Sequence, residues 1–595
     1  MNGVPGSFLP GLQPALPHLM LVPVLLPLLA AAVMLLLGER RRQASALLNV
    51  AVCTINLAVA VALLLWVNGG ATIPGAVGGQ VGQASAAAIG VYLPGNWTVP
   101  FGIVLVADRL TALMLLLVAI VALAALLFAA ARWGRAGVFF HPLFMLQVMG
   151  LNGAFLTADL FNLFVFFEVL LAASYGLMLH GSGRARVGAG LHYVAVNLCA
   201  SFLFLLAIAL IYRSTGSLGM ADIAARIAQL SAAERPLLQA GAALLAVAFL
   251  TKAAIWPLNF WLAPAYSAAS SPVAGLFVLL SKVGIYAVLR LWSLWFPSGE
   301  SAAASAAPFG APVLVWAGLA TMTFGTLGTL ASQQLARLTS FSLIVSSGTL
   351  LAAIGFAANA LTASAVFYLL ISTLAASALF LLSELIDRSR LIAGVDAYDE
   401  AGRAPVPRAA IDPPGVVSVD LQLDPDAQIE TMQSQDELPA PIGRPIRAAM
   451  AFLGFAFIAC VLLIAGLPPL AGFLSKFGLL QAVLARADVG GVGPSAAGWI
   501  FVALLALSGA AALIALSRLG IRMFWAAQKR PLPHLRKIEV APVVGLLVVC
   551  LAVSVWPDPT LRYLNATAAA LHSPAQYASA VAAARPVPPS QARTP

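Results

Sequence analysis

Runs of about twenty apolar residues, each closed by a short polar stretch, recur along almost the whole chain. Each run is long enough to cross a bilayer core as a helix. Fourteen such spans fall at about 17–38, 44–67, 108–131, 138–158, 160–180, 189–212, 237–262, 272–296, 312–331, 339–358, 362–385, 446–485, 497–519 and 541–556. The twelfth is too long for one simple helix and is interrupted at Gly466-Leu467-Pro468-Pro469. No small-residue cleavage site followed by a soluble domain comes after the first span, so it reads as a membrane helix and not as a removed signal. The fold class expected is an all-α polytopic membrane protein with about fourteen transmembrane helices, multi-pass in a lipid bilayer.

Arg and Lys placement sets the orientation. With the N-terminus outside, the inner loops hold Arg40, Arg41 and Arg42, Arg132 and Arg135, Arg184 and Arg186, Arg337, Arg388 and Arg390, and the basic run Arg518 to Lys537. The outer loops hold few basic residues, and an error of one span would scramble the bias. One inner loop, 387–445, is rich in Pro, Asp and Ala and carries about half of the acidic residues. It reads as a flexible cytoplasmic insertion, either a solvated linker or a docking surface for a partner subunit. The Ala/Pro-rich tail after about Pro557 is expected to be poorly ordered.

Composition narrows the class. The chain of 595 residues is 61% hydrophobic and 9% charged, against about 25% charged in ordinary soluble chains. Its net charge of +10 comes from short loops between spans and is no nucleic-acid signal. Cys53, Cys199, Cys460 and Cys550 all lie inside apolar spans, with neither disulfide nor metal-ligand spacing. No GxxxxGK[ST] or GxGxxG motif is present, so a nucleotide does not drive the protein. No metal and no cofactor is expected.

Four charges stand out against this apolar background. The fifth span, DLFNLFVFFEVLLAASYGLMLH at 159–180, carries Glu168 near its middle. A charge at that depth costs about 2.5–3.5 kcal/mol on insertion scales. Glu168 therefore needs a partner on another helix or a neutral, protonated form, and both point to proton handling. Lys252, Lys282 and Lys476 are equally embedded, too deep for simple snorkelling. Together the four cost on the order of 10 kcal/mol, so they are expected to face a polar or hydrated interior. Glu168 with Lys252 reads as a switchable pair, with Lys282 and Lys476 continuing the line between helices. Pro257, and Pro468 with Pro469, break the seventh and twelfth spans beside Lys252 and Lys476. Broken helices next to embedded charges point to an ion path. The two breaks lie five spans apart, an odd number, which implies inverted units, although the tenth span has no counterpart to Glu168. His141, His180, His192 and His534 read either as interfacial residues or as proton carriers to the surface. Ser340, Ser342, Ser346 and Ser347 form a polar run on the tenth span, either a water file or helix-to-helix hydrogen bonds. Asp108 and Arg109 read as a local ion pair.

With these residues in view, the chain resembles the D subunits of the multisubunit Mrp (Pha, Mnh) monovalent cation/proton antiporters, relatives of the antiporter-like subunits of respiratory complex I and membrane-bound hydrogenases. The resemblance rests on VYLPGNWTVPFGIVLVADRLTALM at 91–114, the stretch at 159–181, TKAAIWPLNFWLAPAYSAASSPVAGLFVLLSKVGIYAVLRL at 251–291 and GLPPLAGFLSKFGLL at 466–480. It implies that Glu168, Lys252, Lys282 and Lys476 are the proton-translocating residues; on the reading of the residues themselves, His180, His192, Ser342 and Ser346 are accessory relay candidates. It further implies two inverted five-helix units, helices 4–8 and 9–13. The chain then divides into N-terminal helices over 1–137, a first unit over 138–296, a second unit over 312–386 and 446–520 split by the insertion 387–445, a basic loop and last helix over 521–556, and a tail over 557–595. The implied partners are a large A-like subunit, several small membrane subunits, protons and Na⁺ or K⁺. The implied function is proton translocation in a cation/proton antiporter driven by the proton gradient across the cell membrane, and not an enzymatic reaction. A proton-pumping subunit of a complex I or hydrogenase assembly is the alternative, and a scaffold subunit whose charges only hold helices together is a third reading. Two departures stand out. Relatives often read FWLPxAH where this chain has Phe260-Trp261-Leu262-Ala263-Pro264-Ala265-Tyr266. The eleventh span lacks the His and Lys of complex I relatives, having Ser372 and Ala376 in the run 370–377, which implies a simpler path through Lys476.

Overall fold

The computed structural model describes residues 16–38, 41–69, 89–133, 139–181, 183–297, 308–400, 448–485, 494–525 and 535–586. Each of the fourteen expected spans is helical. The first crossing is α1 (Leu16–Leu19) with α2 (Val22–Leu37), and the second is α3 (Arg42–Gly69). A short antiparallel ribbon, β1 (Gly90–Tyr92) and β2 (Leu105–Ala107), leads into α4 (Arg109–Ala130). Then follow α5 (Phe140–Leu156), α6 (Leu160–Leu179), α7 (Arg184–Thr215) and the short α8 (Met220–Ile227). The seventh crossing is split into α9 (Arg235–Lys252) and α10 (Leu262–Ala268). Next come α11 (Ser271–Trp295), α12 (Ala311–Ala331), α13 (Leu335–Gly355) and α14 (Asn359–Glu400). The twelfth crossing is split into α15 (Ala448–Ala465) and α16 (Ala471–Leu484). The chain continues through α17 (Ala496–Gly520), which runs into a π-helical turn at Ile521–Trp525, then α18 (Lys537–Val555), α19 (Pro557–Leu571) and α20 (Pro574–Ala582). Eleven of the described helices are long and apolar enough to cross a membrane by themselves.

Asp108 and Asp159 start α4 and α6 by accepting the amides of Thr111 and Asn162 at 2.9 and 2.7 Å, which satisfies donors that have no partner inside the helix. Small residues then bring helices together where the hydrophobic effect gives no drive. A Cβ on Gly150 or Gly153 of α5 would strike Leu170 or Phe166 of α6, and one on Gly325 or Gly328 of α12 would strike Val345 or Phe341 of α13. The same glycine pair against the same aliphatic and aromatic positions marks α5–α6 and α12–α13 as corresponding hairpins of two units. The units run in opposite senses: α5 begins, and α12 ends, at the arginine-rich face, where Arg518 donates to the carbonyls of Leu330 and Ser332 at 2.6 and 3.2 Å.

At the centre, α11 is buried on all sides and the membrane part of α14 almost so, as expected of helices apolar all round. The two pack against each other. At the face away from the arginines, the Arg290 guanidinium at the end of α11 donates to both oxygens of Asp108 at 2.6 and 2.7 Å. Asp108 is therefore paired with Arg290 and not with its neighbour Arg109. Successive residues at a helix start point apart, and only the fold brings position 290 to position 108.

The tail also departs from expectation. Residues 557–582 form α19 and α20 and cap the Asp108 end of the bundle. Tyr577 lies over the Arg290 guanidinium at 5.1 Å, and the Tyr563 hydroxyl donates to the Arg109 carbonyl at 2.7 Å. His572 meets the Thr362 hydroxyl at 2.9 Å, and burial holds its pKa below the usual histidine value. A buried guanidinium and an apolar helix end thus give the Ala/Pro-rich segment a surface to order on. The insertion also starts later than expected: the backbone of α14 stays helical to Glu400, and the rest of that insertion, from 401, lies outside the described residues, as does His534.

The Asp108–Arg290 pair makes the outer end of α11 sensitive to single charge removal. Arg290→Met is expected to cost about 3–5 kcal/mol, since it leaves a buried carboxylate alone. Asp108→Asn combined with Arg290→Met is expected to recover part of that loss. Thermal melting in detergent of the two single variants and the double variant checks the coupling.

Candidate functional site

The two helix breaks are built differently. In the seventh crossing α9 ends at Lys252, and Ala254 takes a positive φ of 57°. The carbonyls released before Pro257 find new donors: Ile255 N reaches Leu250 O at 3.0 Å, and Trp261 Nε1 reaches Thr251 O at 3.2 Å. The Trp256 amide crosses to Thr321 Oγ1 of α12 at 2.9 Å. In the twelfth crossing α15 ends at Ala465, Gly466 turns the chain at φ 77°, and α16 begins after Pro468 and Pro469. The first amide of α16, Ala471 N, donates to Ser554 Oγ of α18 at 2.7 Å. Free backbone at membrane depth is thus covered by protein on both sides, as a low-dielectric environment demands.

All three embedded lysines are buried, with 3%, 0% and 8% of Lys252, Lys282 and Lys476 exposed. At those values none of them snorkels. Lys252 Nζ donates to Ser201 Oγ of α7 at 3.3 Å and lies 5.2 Å from the centre of the Phe167 ring. Lys282 Nζ donates to Ser346 Oγ of α13 at 2.7 Å. Ser346 in turn meets Ser372 Oγ of α14 at 3.0 Å, and Tyr368 of α14 lies beside Ser346 and Thr349. Lys476 Nζ donates to the carbonyls of Ile464 and Ala465 at 3.0 and 2.9 Å. Its charge sits on the carbonyl end of α15, where the helix dipole favours a cation.

Glu168 differs from the lysines. It is half-buried, and its Oε1 is buried without a hydrogen-bond partner. It makes no contact ion pair with Lys252, although it lies close enough for its charge to act on both Lys252 and Tyr175. The expected pair is therefore one of charges in each other's field, with Ser201 as the direct partner of the lysine. The helices that carry the four charges form a chain of contacts: α6 touches α7, α7 touches α9, α9 touches α11, α11 touches α14, and α14 touches α16. At Gly284 the backbones of α11 and α9 are so close that a Cβ would meet Phe249 O at 2.7 Å. Lys252 and Lys282 thus belong to helices in direct backbone contact.

The accessory candidates separate. Ser346 holds Lys282. Ser342 turns its hydroxyl back to Leu338 O at 3.1 Å, and Ser340 does the same to Ala336 O at 2.8 Å. His180 caps α6 at the arginine-rich face, with Nε2 at 3.0 Å from Trp133 O. His192 is exposed on α7 with Nδ1 at 3.0 Å from Gly188 O. Neither histidine touches the lysines. Ser201, Ser372 and Tyr368 were not legible as site residues, because a hydroxyl inside an apolar helix usually bonds its own backbone. A second feature was also missed, a cluster at the arginine-rich face around Glu384, Arg388 and Glu539.

With this geometry in place, comparison with known proteins gives consistent matches. The family described as NADH:quinone oxidoreductase/Mrp antiporter, transmembrane, matches residues 157–397. The D subunit of a probable K⁺/H⁺ antiporter of Rhizobium meliloti (strain 1021) is 46% identical over 572 residues, covering 96% of this chain and 98% of that protein. The D subunit of a Na⁺/H⁺ antiporter of Alkalihalophilus pseudofirmus is 31% identical over 493 residues, covering 82% and 87%. Among solved structures, a chain of the Mrp complex from Dietzia sp. DQ12-45-1b superposes with a TM-score of 0.73 at 25% identity, covering 96% of this chain and 99% of that one. A chain of respiratory complex I from Thermus thermophilus gives 0.66 at 21% identity, covering 93% and 99%, a likeness of fold.

The packing around Lys476 yields a direct test. A Cβ on Gly466 would fall 2.5 Å from Lys476 Cδ, at a φ of 77° that side chains resist. Gly466→Ala is expected to cost about 1–3 kcal/mol of strain, whereas Gly454→Ala, with nothing within 4 Å of its Cβ, is expected to be silent. Thermal melting in detergent of the two variants side by side decides the matter.

Proposed function

The chain belongs to the family of antiporter D subunits, and from that premise we propose that it conducts protons in a multisubunit exchanger of protons for Na⁺ or K⁺, along Glu168, Lys252, Lys282 and Lys476. It is a multi-pass membrane transporter subunit and not an enzyme, and other membrane subunits are its partners. The observation that carries the reading is the burial of three lysines, two on helices in direct contact and the third reached through α14, with two of them bonded to a hydroxyl. A serine hydroxyl both accepts and donates. Ser201 and Ser346 therefore accept a bond from a lysine ammonium and can donate one to the neutral amine left when the proton moves on. Both states stay satisfied, which lowers the cost of changing between them.

Lys476 is held otherwise. Carbonyls only accept, so Ile464 and Ala465 accept N–H bonds from either form but offer no donor to the lone pair of the neutral amine. Its site suits a charge that is mostly present and is discharged only when a neighbour or water supplies a donor. In this reading Glu168, half-buried and with an unfilled oxygen, responds to Lys252 and to an adjoining subunit. The partners proposed are a large A-like subunit and several small membrane subunits. The arginine-rich face, with the 387–445 insertion, is proposed to be cytoplasmic in the cell membrane, with the N-terminus and the α19–α20 cap outside. A pumping role in a redox assembly is the competing reading. The 46% identity to an antiporter subunit over nearly the whole chain favours the exchanger.

The test is cation-driven ΔpH in membrane vesicles, using an antiporter-deficient host that expresses the whole complex. Glu168→Gln and Lys252→Ala are expected to lower the initial rate at least about tenfold in complexes shown to assemble. Exchange near wild type in assembled variants would overturn the relay and leave these charges as structural.

A further inference from the structure

Three guanidinium groups crowd one corner of the arginine-rich face, where α4 ends, α14 leaves the bundle and α18 begins. Arg388 of α14 donates to Glu539 of α18 at 2.9 Å. Arg132, just past α4, stands 3.8 Å from the same oxygen, with half of its side chain exposed. Arg536, just ahead of α18, is exposed and donates to the Ala131 carbonyl at 3.3 Å. Burial, followed by the charges of Arg388 and Arg536, holds the Arg132 pKa below the usual arginine value. Lys537, the first residue of α18, is a further exposed cation. These four cations reach two carboxylates. Glu539 is shared by two arginines, and Glu384 is taken up by Trp133 Nε1 at 3.0 and 2.9 Å, with Arg388 3.8 Å away. Arg388 keeps Nε and Nη2 without a hydrogen-bond partner. Cations gathered this closely repel one another, and an anion added among them relieves that repulsion.

Apolar surface lies directly beside this corner. Among the eleven described helices of membrane length, α18 is the least covered, with 28% of its span buried. Ala541, Val544, Val548 and Leu551 are all exposed. They are spaced three or four residues apart, so they form one ridge along the helix. From Ala541 to Leu551 the ridge rises about 15 Å, half of a hydrocarbon core of about 30 Å. It starts one turn below Lys537. An occupant that brings a negative charge to the level of the headgroups, and apolar chains one leaflet deep beneath it, is an anionic phospholipid.

We propose that the corner formed by α4, α14 and α18 binds one anionic phospholipid, with its phosphate among Arg132, Arg536 and Lys537 and its acyl chains on the α18 ridge. The exposed cations make the headgroup contacts, and Arg388, held on Glu539, adds its field behind them. The lipid fastens the end of α4 to the start of α18, two helices that pack together from opposite ends of the chain. The site is separate from the line of four embedded charges and does not depend on the role given to them.

The experiment is native mass spectrometry of the whole complex, purified in detergent and titrated with phosphatidylglycerol. Arg132→Gln, Arg536→Gln and Lys537→Gln combined are expected to weaken the uptake of one phosphatidylglycerol on the order of a hundredfold. The control removes the same charge from other exposed positions of the same face, with Arg41→Gln, Arg184→Gln and Arg337→Gln combined, and is expected to bind as wild type. Wild-type uptake by the first variant overturns the site. Equal loss in both variants also overturns it, because the attraction is then general to the basic face. Phosphatidylcholine is expected not to take the place of phosphatidylglycerol, and inorganic phosphate is expected not to displace it. Displacement by phosphate reduces the corner to an anion site and overturns the lipid. Val548→Cys in a Cys199→Ala background is expected to give no thiol cross-link to another subunit, and a cross-link there overturns the ridge as a lipid surface. Should the first variant fail to assemble, Lys537→Gln alone carries the test. Its uptake is expected to be about fivefold weaker, and wild-type uptake overturns the proposal.

Discussion

In a membrane no polar group can fall back on water, so each must be answered by another part of the protein. That constraint organises this structure. Breaking the twelfth crossing exposes the carbonyls of Ile464 and Ala465, and the same break brings Lys476 onto them. Two liabilities, free backbone and an embedded charge, cancel at one place. In the seventh crossing the break is answered by neutral donors, Trp261 Nε1 and backbone amides. Lys252 is left to Ser201 and the Phe167 ring.

The two units therefore share a scaffold and differ in chemistry. The glycine pairs and their partners on α5–α6 and α12–α13 recur position by position, so the hairpins pack alike. On that correspondence the place of Glu168 in the first unit is taken in the second by Leu343, a buried residue. The first unit has a carboxylate, a lysine before its break and a hydroxyl partner. The second has a lysine after its break and carbonyl partners. Lys282, on the central helix α11, joins them, since it belongs to the first unit and is bonded to Ser346 of the second. Tight packing against α9 at Gly284 and against α14 at Gly275 leaves α11 little freedom to tilt.

The ends of the bundle are held by charge in two different ways. At one face a bidentate pair, Asp108 with Arg290, is closed over by the aromatic residues of the tail helices. At the other, Glu384, Arg388, Glu539 and Arg132 share contacts among chain segments far apart in sequence, with Arg186 over the Trp133 ring at 5.2 Å. The first is rigid and complete. The second reaches solvent through Arg132, whose side chain is 51% exposed.

The sequence by itself determined the membrane class, the fourteen crossings, the two broken helices and the four embedded charges. Each of these follows from local composition: an apolar run of twenty residues has one stable answer in a bilayer, a proline in mid-run removes a helix donor and favours a break, and a charge in such a run is conspicuous whatever surrounds it. What each charge touches was decided only by the tertiary structure. Arg290 finds Asp108, Lys252 finds Ser201 and not a direct bond to Glu168, Lys282 finds Ser346 and Ser372, and the tail orders against the outer end of α11. Those partners lie far apart along the chain or are ordinary serines in apolar helices. A hydroxyl carries no signal of whether it bonds its own backbone or a neighbour's lysine until packing sets the distance between the two helices.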